Sequence, residues 1–275
     1  MTSTDSSPDT PQRRRSAWDI QRGVLFALVL REMKGRVGGQ WIGAVWTLIE
    51  PLMHVLVVLT IYTAIRSGGV AGVGAVDLPV FLATGLLPYF LFQHLATRLM
   101  DGVEANRGLF SYRQVKPLDT LVSRAFVELI MNALVYVVTL GLLGWEGHPV
   151  RPDGPLEAMG VHAVLFLLGT SYGVFAAVLS HGRPRVRSFL RISMLPMYIL
   201  SGVIFPVHVA PPEVVHWLLF NPLLHLIEMS RHAFIPNYNV LDGVSMGYAA
   251  ICTLALCAFS LALYRRDRLR LVTSA

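Results

Sequence analysis

Charge is scarce in this chain. Lysine, arginine, aspartate and glutamate make up 15% of its 275 residues, against about 25% in soluble domains, and they cluster between long apolar runs. So few charges cannot cover the surface of an ordinary soluble domain, which is excluded. Cysteine is nearly absent too. Cys252 and Cys257 share one apolar run, and five apart on a helix they point about 140° apart. They cannot pair with each other without unwinding it, and they read as packing residues. The G-x-x-x-x-G-K-[ST] phosphate cradle is missing, and Gly38–Gly39 and Gly68–Gly69 are isolated pairs. The nine histidines are scattered, without metal-ligand spacing, and no nucleophile and base can be argued from their order. The sequence carries no catalytic signal. A secretory leader is not expected, because the run 23–30 is followed at once by Arg31, Glu32 and Lys34 with no small-residue cleavage site.

What is abundant is apolar length. Hydrophobic residues make up 54% of the chain, and a run of about 20 of them crosses a bilayer as a helix. Six spans are predicted, at 40–65, 78–100, 121–145, 156–180, 188–207 and 243–264. Between 208 and 240 the runs 214–220 and 223–227 are each too short to cross, and Asn221–Pro222 separates them. They read as two short re-entrant helices on the outer side. The net charge of +6 could signal nucleic acid, but topology accounts for it better. With both ends inside, all the lysines and arginines except Arg66, Arg151 and Arg231 fall on the cytoplasmic side, as the positive-inside rule requires. The expected fold is an all-α integral membrane protein. Residues 1–15 read as a disordered cytoplasmic arm and 16–275 as one transmembrane domain.

Two cytoplasmic segments stand out. Residues 16–36 place an apolar centre between polar flanks that include Trp18, Arg22, Arg31, Glu32 and Lys34. This suits an amphipathic helix lying in the membrane interface, or a simple topology anchor. The loop after the second span, with Glu104, Asn106, Arg107, Leu109, Phe110 and Tyr112, predicts one short helix over 102–110. Its exposed apolar groups call for a protein partner.

Ionisable groups at membrane depth are functional candidates. Glu50 and His54 share a helical face, with Trp46 and Tyr62 nearby along the same span. They serve either function or interhelical polar packing. Glu128 with Asn132, and His162, favour packing. Aromatics on the first and fifth spans, Tyr198 and Phe205 among them, can be packing or can line a sugar path, as can Trp217. Arg231, close to Glu228, His225 and His232, either forms a local ion pair or meets an anionic polymer leaving the membrane.

The order of these parts is specific. The interface helix ends in Val-Leu-Arg-Glu-Met-Lys-Gly-Arg at 29–36, followed by Gly-Gln-Trp-Ile-Gly-Ala-Val-Trp at 39–46 and Leu-Ile-Glu-Pro at 48–51. The loop 106–117 and the outer helix pair come next. From about residue 18 to 270 the chain resembles the membrane subunit of ABC-2 type exporters of the polysaccharide and polyol-phosphate branch, and most of all the capsular polysaccharide export permeases of Gram-negative group 2 capsules. The resemblance implies an inner-membrane homodimer that carries two ATP-binding subunits beneath it. ATP and magnesium would be held by those subunits, with no cofactor on this chain. It implies a coupling helix around 106–110, a gate or interface helix at 16–36 and a lipid-linked polysaccharide as cargo. It also implies a channel lined largely from the first and fifth spans. Trp46, Glu50, His54, Tyr62, Tyr198, Phe205, Trp217, Arg231 and His232 are the candidates for that path. A periplasmic co-polymerase and an outer-membrane channel would continue it. Exporters of O-antigen, teichoic acid or small molecules are alternatives within the class. A proton-coupled secondary transporter using Glu50 and His54, or a membrane-embedded lipid transferase, are alternatives outside it. The halves show no inverted repeat, which counts against the carrier.

Overall fold

The computed structural model describes residues 16–37, 45, 46, 49, 52–58, 60, 61, 77–112 and 114–273. The predicted arm at 1–15, Glu50 and Tyr62 lie outside them. The regular structure among the described residues is all helical, with no strand. Helix α1 is Ala17–Val37, α2 is Leu78–Met100, α3 is Gly102–Ala105, α4 is Pro117–Trp145 and α5 is Pro155–Ser180. They are followed by α6 (Pro184–Ile192), α7 (Met194–Leu200), α8 (Pro212–Leu218), α9 (Pro222–Phe234) and α10 (Met246–Thr273). Residues 52–58 of the predicted first span are helical.

Proline sets many of these starts. Pro117, Pro155, Pro184, Pro212 and Pro222 each stand at the first position of a helix. There the missing N–H has no intrahelical acceptor to lose, and the fixed φ already suits the helix. Asn221 caps α9, its side chain accepting from the Leu223 N–H at 3.0 Å.

Among the described residues four helices are long and apolar enough to cross a membrane: α2, α4, α5 and α10. α2 is the buried centre. It packs against α5, where Gly169 and Gly173 leave room for it. A Cβ at Gly173 would lie 2.7 Å from the Leu95 carbonyl oxygen, and one at Gly169 2.8 Å from Leu95 Cδ1. This is the small-xxx-small approach that membrane helices use in place of a hydrophobic driving force. α4 turns Phe126, Ile130, Leu134 and Val137 outward, a stripe at helical spacing suited to lipid or to a second chain.

The predicted fifth span differs from expectation. No single helix covers 188–207. α6 and α7 are parted at Ser193, and the chain leaves α7 through a turn at Ser201–Phe205. Pro196 is the physical reason. It has no N–H to give the carbonyl of residue 192, so one helix ends there and Pro196 falls in the first turn of the next, where the loss is harmless. Together 184–200 reach about 25 Å at 1.5 Å per residue. The last helix is longer than expected and carries its basic end out to Arg270. The loop helix is also divided. α3 ends at Asn106, and a 3₁₀ turn follows over Arg107–Ser111. The Asn106 amide donates back to the Gly102 carbonyl at 2.9 Å.

Candidate functional site

The end of the molecule that carries α1 and the loop 101–112 is held by polar side chains. α1 lies along α4, and four pairs fasten it at intervals. Gln21 donates to Asp119 at 2.7 Å and Arg31 to Asn106 at 2.9 Å. Arg124 lies 2.8 Å from Glu32, and Arg36 forms a close ion pair with Glu128. Glu128, a buried carboxylate inside the third predicted span, is thereby paired with a cation from the interface helix, which agrees with a packing role. Trp18 and Phe26 on α1 remain exposed. Arg31, Glu32, Arg36, Arg98 and Arg124 surround a hollow of about 440 Å³.

The loop 101–112 is less open than its sequence implies. Tyr112 is exposed, but Leu109 and Phe110 are half-buried, and Phe110 packs on the main apolar core. The 3₁₀ turn after Asn106 folds these two side chains back towards the helix ends. Arg107 is exposed, and Glu104 forms an ion pair with Arg187. The hydrogen bond from that guanidinium holds the Glu104 carboxyl below its ordinary pKa, and the carboxylate in turn raises that of Arg187. Nearby, burial and the charge of Arg107 lower the pKa of His181.

Deeper in the molecule, His54 from the first predicted span and Tyr198 from α7 meet. His54 Nε2 is 3.0 Å from the Tyr198 hydroxyl, and the His54 ring stands edge-on to Phe90. Tyr89, Phe90, Gln93 and His94 of α2, with Arg191 and Met194, complete a cavity of about 300 Å³. Tyr89 donates to the Met194 carbonyl and stands edge-on to Tyr198 at 4.9 Å. The two aromatic-bearing segments read from sequence thus converge. The contribution of α2 was missed, although Phe90 and His94 share a helical face one turn apart and stack. Trp46 and Trp217 are exposed, Phe205 is half-buried, and none of the three lines this cavity.

Arg231 forms the local ion pair with Glu228 that is one of its two readings from sequence, and it does so in the interior rather than at an exposed surface. It is fully buried, as is Glu228. Its Nη1 donates to Glu228 at 2.8 Å, and its Nη2 donates to the carbonyls of Gly202 and Val203, each at 2.8 Å. The guanidinium carbon sits 3.8 Å over the Phe81 ring. Tyr238 completes the set by donating to Glu228 at 3.1 Å. Burial follows from position. α9 packs against α2 and α5, which turns 228 and 231 inward. His232 faces the other way and pairs with Glu157 at 3.0 Å. Among the described residues no three His, Cys, Asp or Glu side chains are placed to hold a metal ion.

Residues 23–235 match the model of the ABC-2 type transporter membrane family. The chain belongs to this family. The chain is 34% identical over 260 residues to the polysialic acid transport protein KpsM of Escherichia coli, covering 94% of this chain and 99% of that protein. It is 30% identical over 252 residues to the capsule polysaccharide export inner-membrane protein CtrC of Neisseria meningitidis, covering 90% and 92%. With the O-antigen export permease RfbA of Myxococcus xanthus it is 35% identical over 128 residues, 45% of this chain and 47% of that protein.

Proposed function

We propose that this chain is the inner-membrane permease subunit of an ATP-driven exporter of capsular polysaccharide. The observation that carries the reading is coverage. The match to KpsM runs over almost the whole of both chains, whereas the match to an O-antigen permease stops at under half of each. The cargo is therefore read as a capsule polymer on a lipid anchor. Two copies of the chain would form the path, with the outward apolar residues Phe189, Ile192, Leu195 and Ile199 available to a second copy. Six spans with both ends cytoplasmic, the outer placement of α8 and α9, a periplasmic co-polymerase and an outer-membrane channel belong to the same reading.

The division of labour follows from chemistry. Two partner subunits would bind ATP and magnesium and dock on the loop 101–112, where Arg107, Tyr112 and the half-exposed Leu109 and Phe110 form the contact. The helix α1 would be the gate through which the lipid anchor enters. The cavity between His54, Tyr89, Phe90 and Tyr198 would meet sugar rings. Aromatic faces grip the apolar side of a pyranose without locking one orientation, which suits a polymer that must slide. A driving force arises only if the nucleotide-bound partner prefers one of two arrangements of the loop.

Inverted membrane vesicles test the reading. ATP should drive lipid-linked polysaccharide inward, and dissipating the proton gradient should leave the uptake standing. Uptake that follows the proton gradient and ignores ATP would favour a carrier built on Glu50 and His54.

A further inference from the structure

Two cytoplasmic segments, far apart in sequence, are joined by charge. Asp101 and Glu104 lie three residues apart at the start of the loop, and Arg187 and Arg191 lie four apart on one face of α6. Arg187 ion-pairs with Glu104, and its Nε lies 3.8 Å from Asp101. Arg191 donates to Asp101 at 2.9 Å. The spacing of the two carboxylates matches that of the two guanidiniums, so the contact fixes register as well as distance. The lowered pKa of Glu104 keeps its carboxylate charged.

From α6 the connection runs inward. Ser193 at the break belongs to both helices: its N–H donates to the Phe189 carbonyl of α6 at 2.9 Å, and its carbonyl accepts from the Met197 N–H of α7 at 3.1 Å. α6 and α7 therefore move together. α7 carries Tyr198 to His54 and presents the Met194 carbonyl to Tyr89, and Arg191 itself lines the cavity. The loop 101–112 is thus tied to one wall of the aromatic cavity by a short series of direct contacts.

We propose that Arg187 is a positioning residue that makes the loop 101–112 and the segment 184–200 shift as one body, so that work delivered at the loop moves the Tyr198 wall of the cavity. The proposal rests on the reading of that loop as the docking point of the ATP-binding subunit. Nothing in packing alone calls for the pair. α6 is anchored through Leu190 to Met100 and Ala176 and would keep its place without it.

The test uses the assembled complex with its ATP-binding subunit. In Arg187→Gln, that subunit should still co-purify and ATP hydrolysis should stay within about twofold, while export per ATP falls about tenfold, within the range of ordinary coupling effects. Arg187→Lys, which keeps the charge, should recover most of the loss. A second pair of sites covers failure to fold. With Cys252 and Cys257 replaced by alanine, Glu104→Cys and Arg187→Cys joined by a short bismaleimide should export better than the same protein unjoined. Undiminished export per ATP in Arg187→Gln would overturn the proposal, as would arrest of export by the bismaleimide bridge, since a pair that must open cannot be a rigid link. The docking reading is tested separately by Leu109→Asp with Phe110→Asp. An ATP-binding subunit that still co-purifies with that variant contradicts docking at this loop and leaves the Arg187 result to be read by itself.

Discussion

Arg231 holds Glu228 at 2.8 Å in a place that water does not reach, both side chains being fully buried. The pair is a junction between three parts of the chain. Arg231 belongs to α9, the carbonyls it grips belong to the turn after α7, and the ring beneath it belongs to α2. Taking two charges out of water costs several kcal/mol, which close pairing and further hydrogen bonds offset. Here Glu228, two carbonyls and an aromatic face meet the Arg231 guanidinium, whose Nε alone finds no acceptor among the described residues, and the Tyr238 phenol donates to Glu228.

Removing one partner should therefore be severe. Arg231→Met or Glu228→Gln leaves a buried charge without its counter-charge, a loss of about 3–5 kcal/mol. We expect each variant to fall sharply in membrane abundance and in melting temperature in detergent. Exchange of the two residues, Glu228→Arg with Arg231→Glu, should not restore stability, because a carboxylate at 231 cannot donate to the Gly202 and Val203 carbonyls. A stable, exporting exchange variant would mean that the ion pair alone matters.

Gly85 is the counterpart of that junction on α2. A Cβ there would lie 2.6 Å from the Val203 carbonyl oxygen and 2.7 Å from Arg231 Nη2. Gly85→Ala should cost about 1–3 kcal/mol through overpacking, and Gly173→Leu should separate α2 from α5. Gly160, also helical, has nothing within 4 Å of its Cβ position, so Gly160→Ala should be neutral or slightly stabilising. Thermal melts of the three purified variants in one detergent check the order.

Acid should loosen the corner around Glu104, Arg187 and His181. The folded pKa of Glu104 lies below its ordinary value because Arg187 donates to it, so its contribution is present above the ordinary carboxylate range and is lost as pH falls through the folded value. His181 acts in the same direction. Burial and Arg107 lower its folded pKa, so the unfolded chain takes up that proton first, and stability falls as pH drops below about 6.5. Asp101, Arg107 and Arg187 are the other charges facing this corner. Melting temperature measured from neutral pH downward should decline in two stages. His181→Gln should flatten the upper stage and Glu104→Gln the lower. A wild-type curve that neither substitution alters would contradict the assignment.

Much of the frame was legible because membrane helices obey one-dimensional rules. α2 was read from sequence with its observed bounds, since Asp77 and the charged stretch after Met100 flank an unbroken apolar run. The division into two short helices at 212–234 was legible from Asn221–Pro222. The division of the fifth segment was not, because a proline inside an apolar run can kink a helix or end it, and only the register of Pro196 against residue 192 decides. The Arg231–Glu228 pair was legible from its i, i+3 spacing, but its burial was not. Sequence counts charges by side of the membrane, and a cation whose partners are backbone carbonyls of a distant turn leaves no trace in spacing. The Arg187–Glu104 contact was hidden likewise, as it joins two short helices, α6 and α3, that the fold alone brings together.

The central claim is that this chain carries a capsular polysaccharide out of the cytoplasm. The measurement that meets it most directly is the location of the polymer in cells that lack the chain and keep the rest of the export system. The account predicts that polymer is still made but accumulates inside, and that restoring the wild-type chain returns it to the surface. Surface polymer at the wild-type level in the absence of the chain would contradict the account.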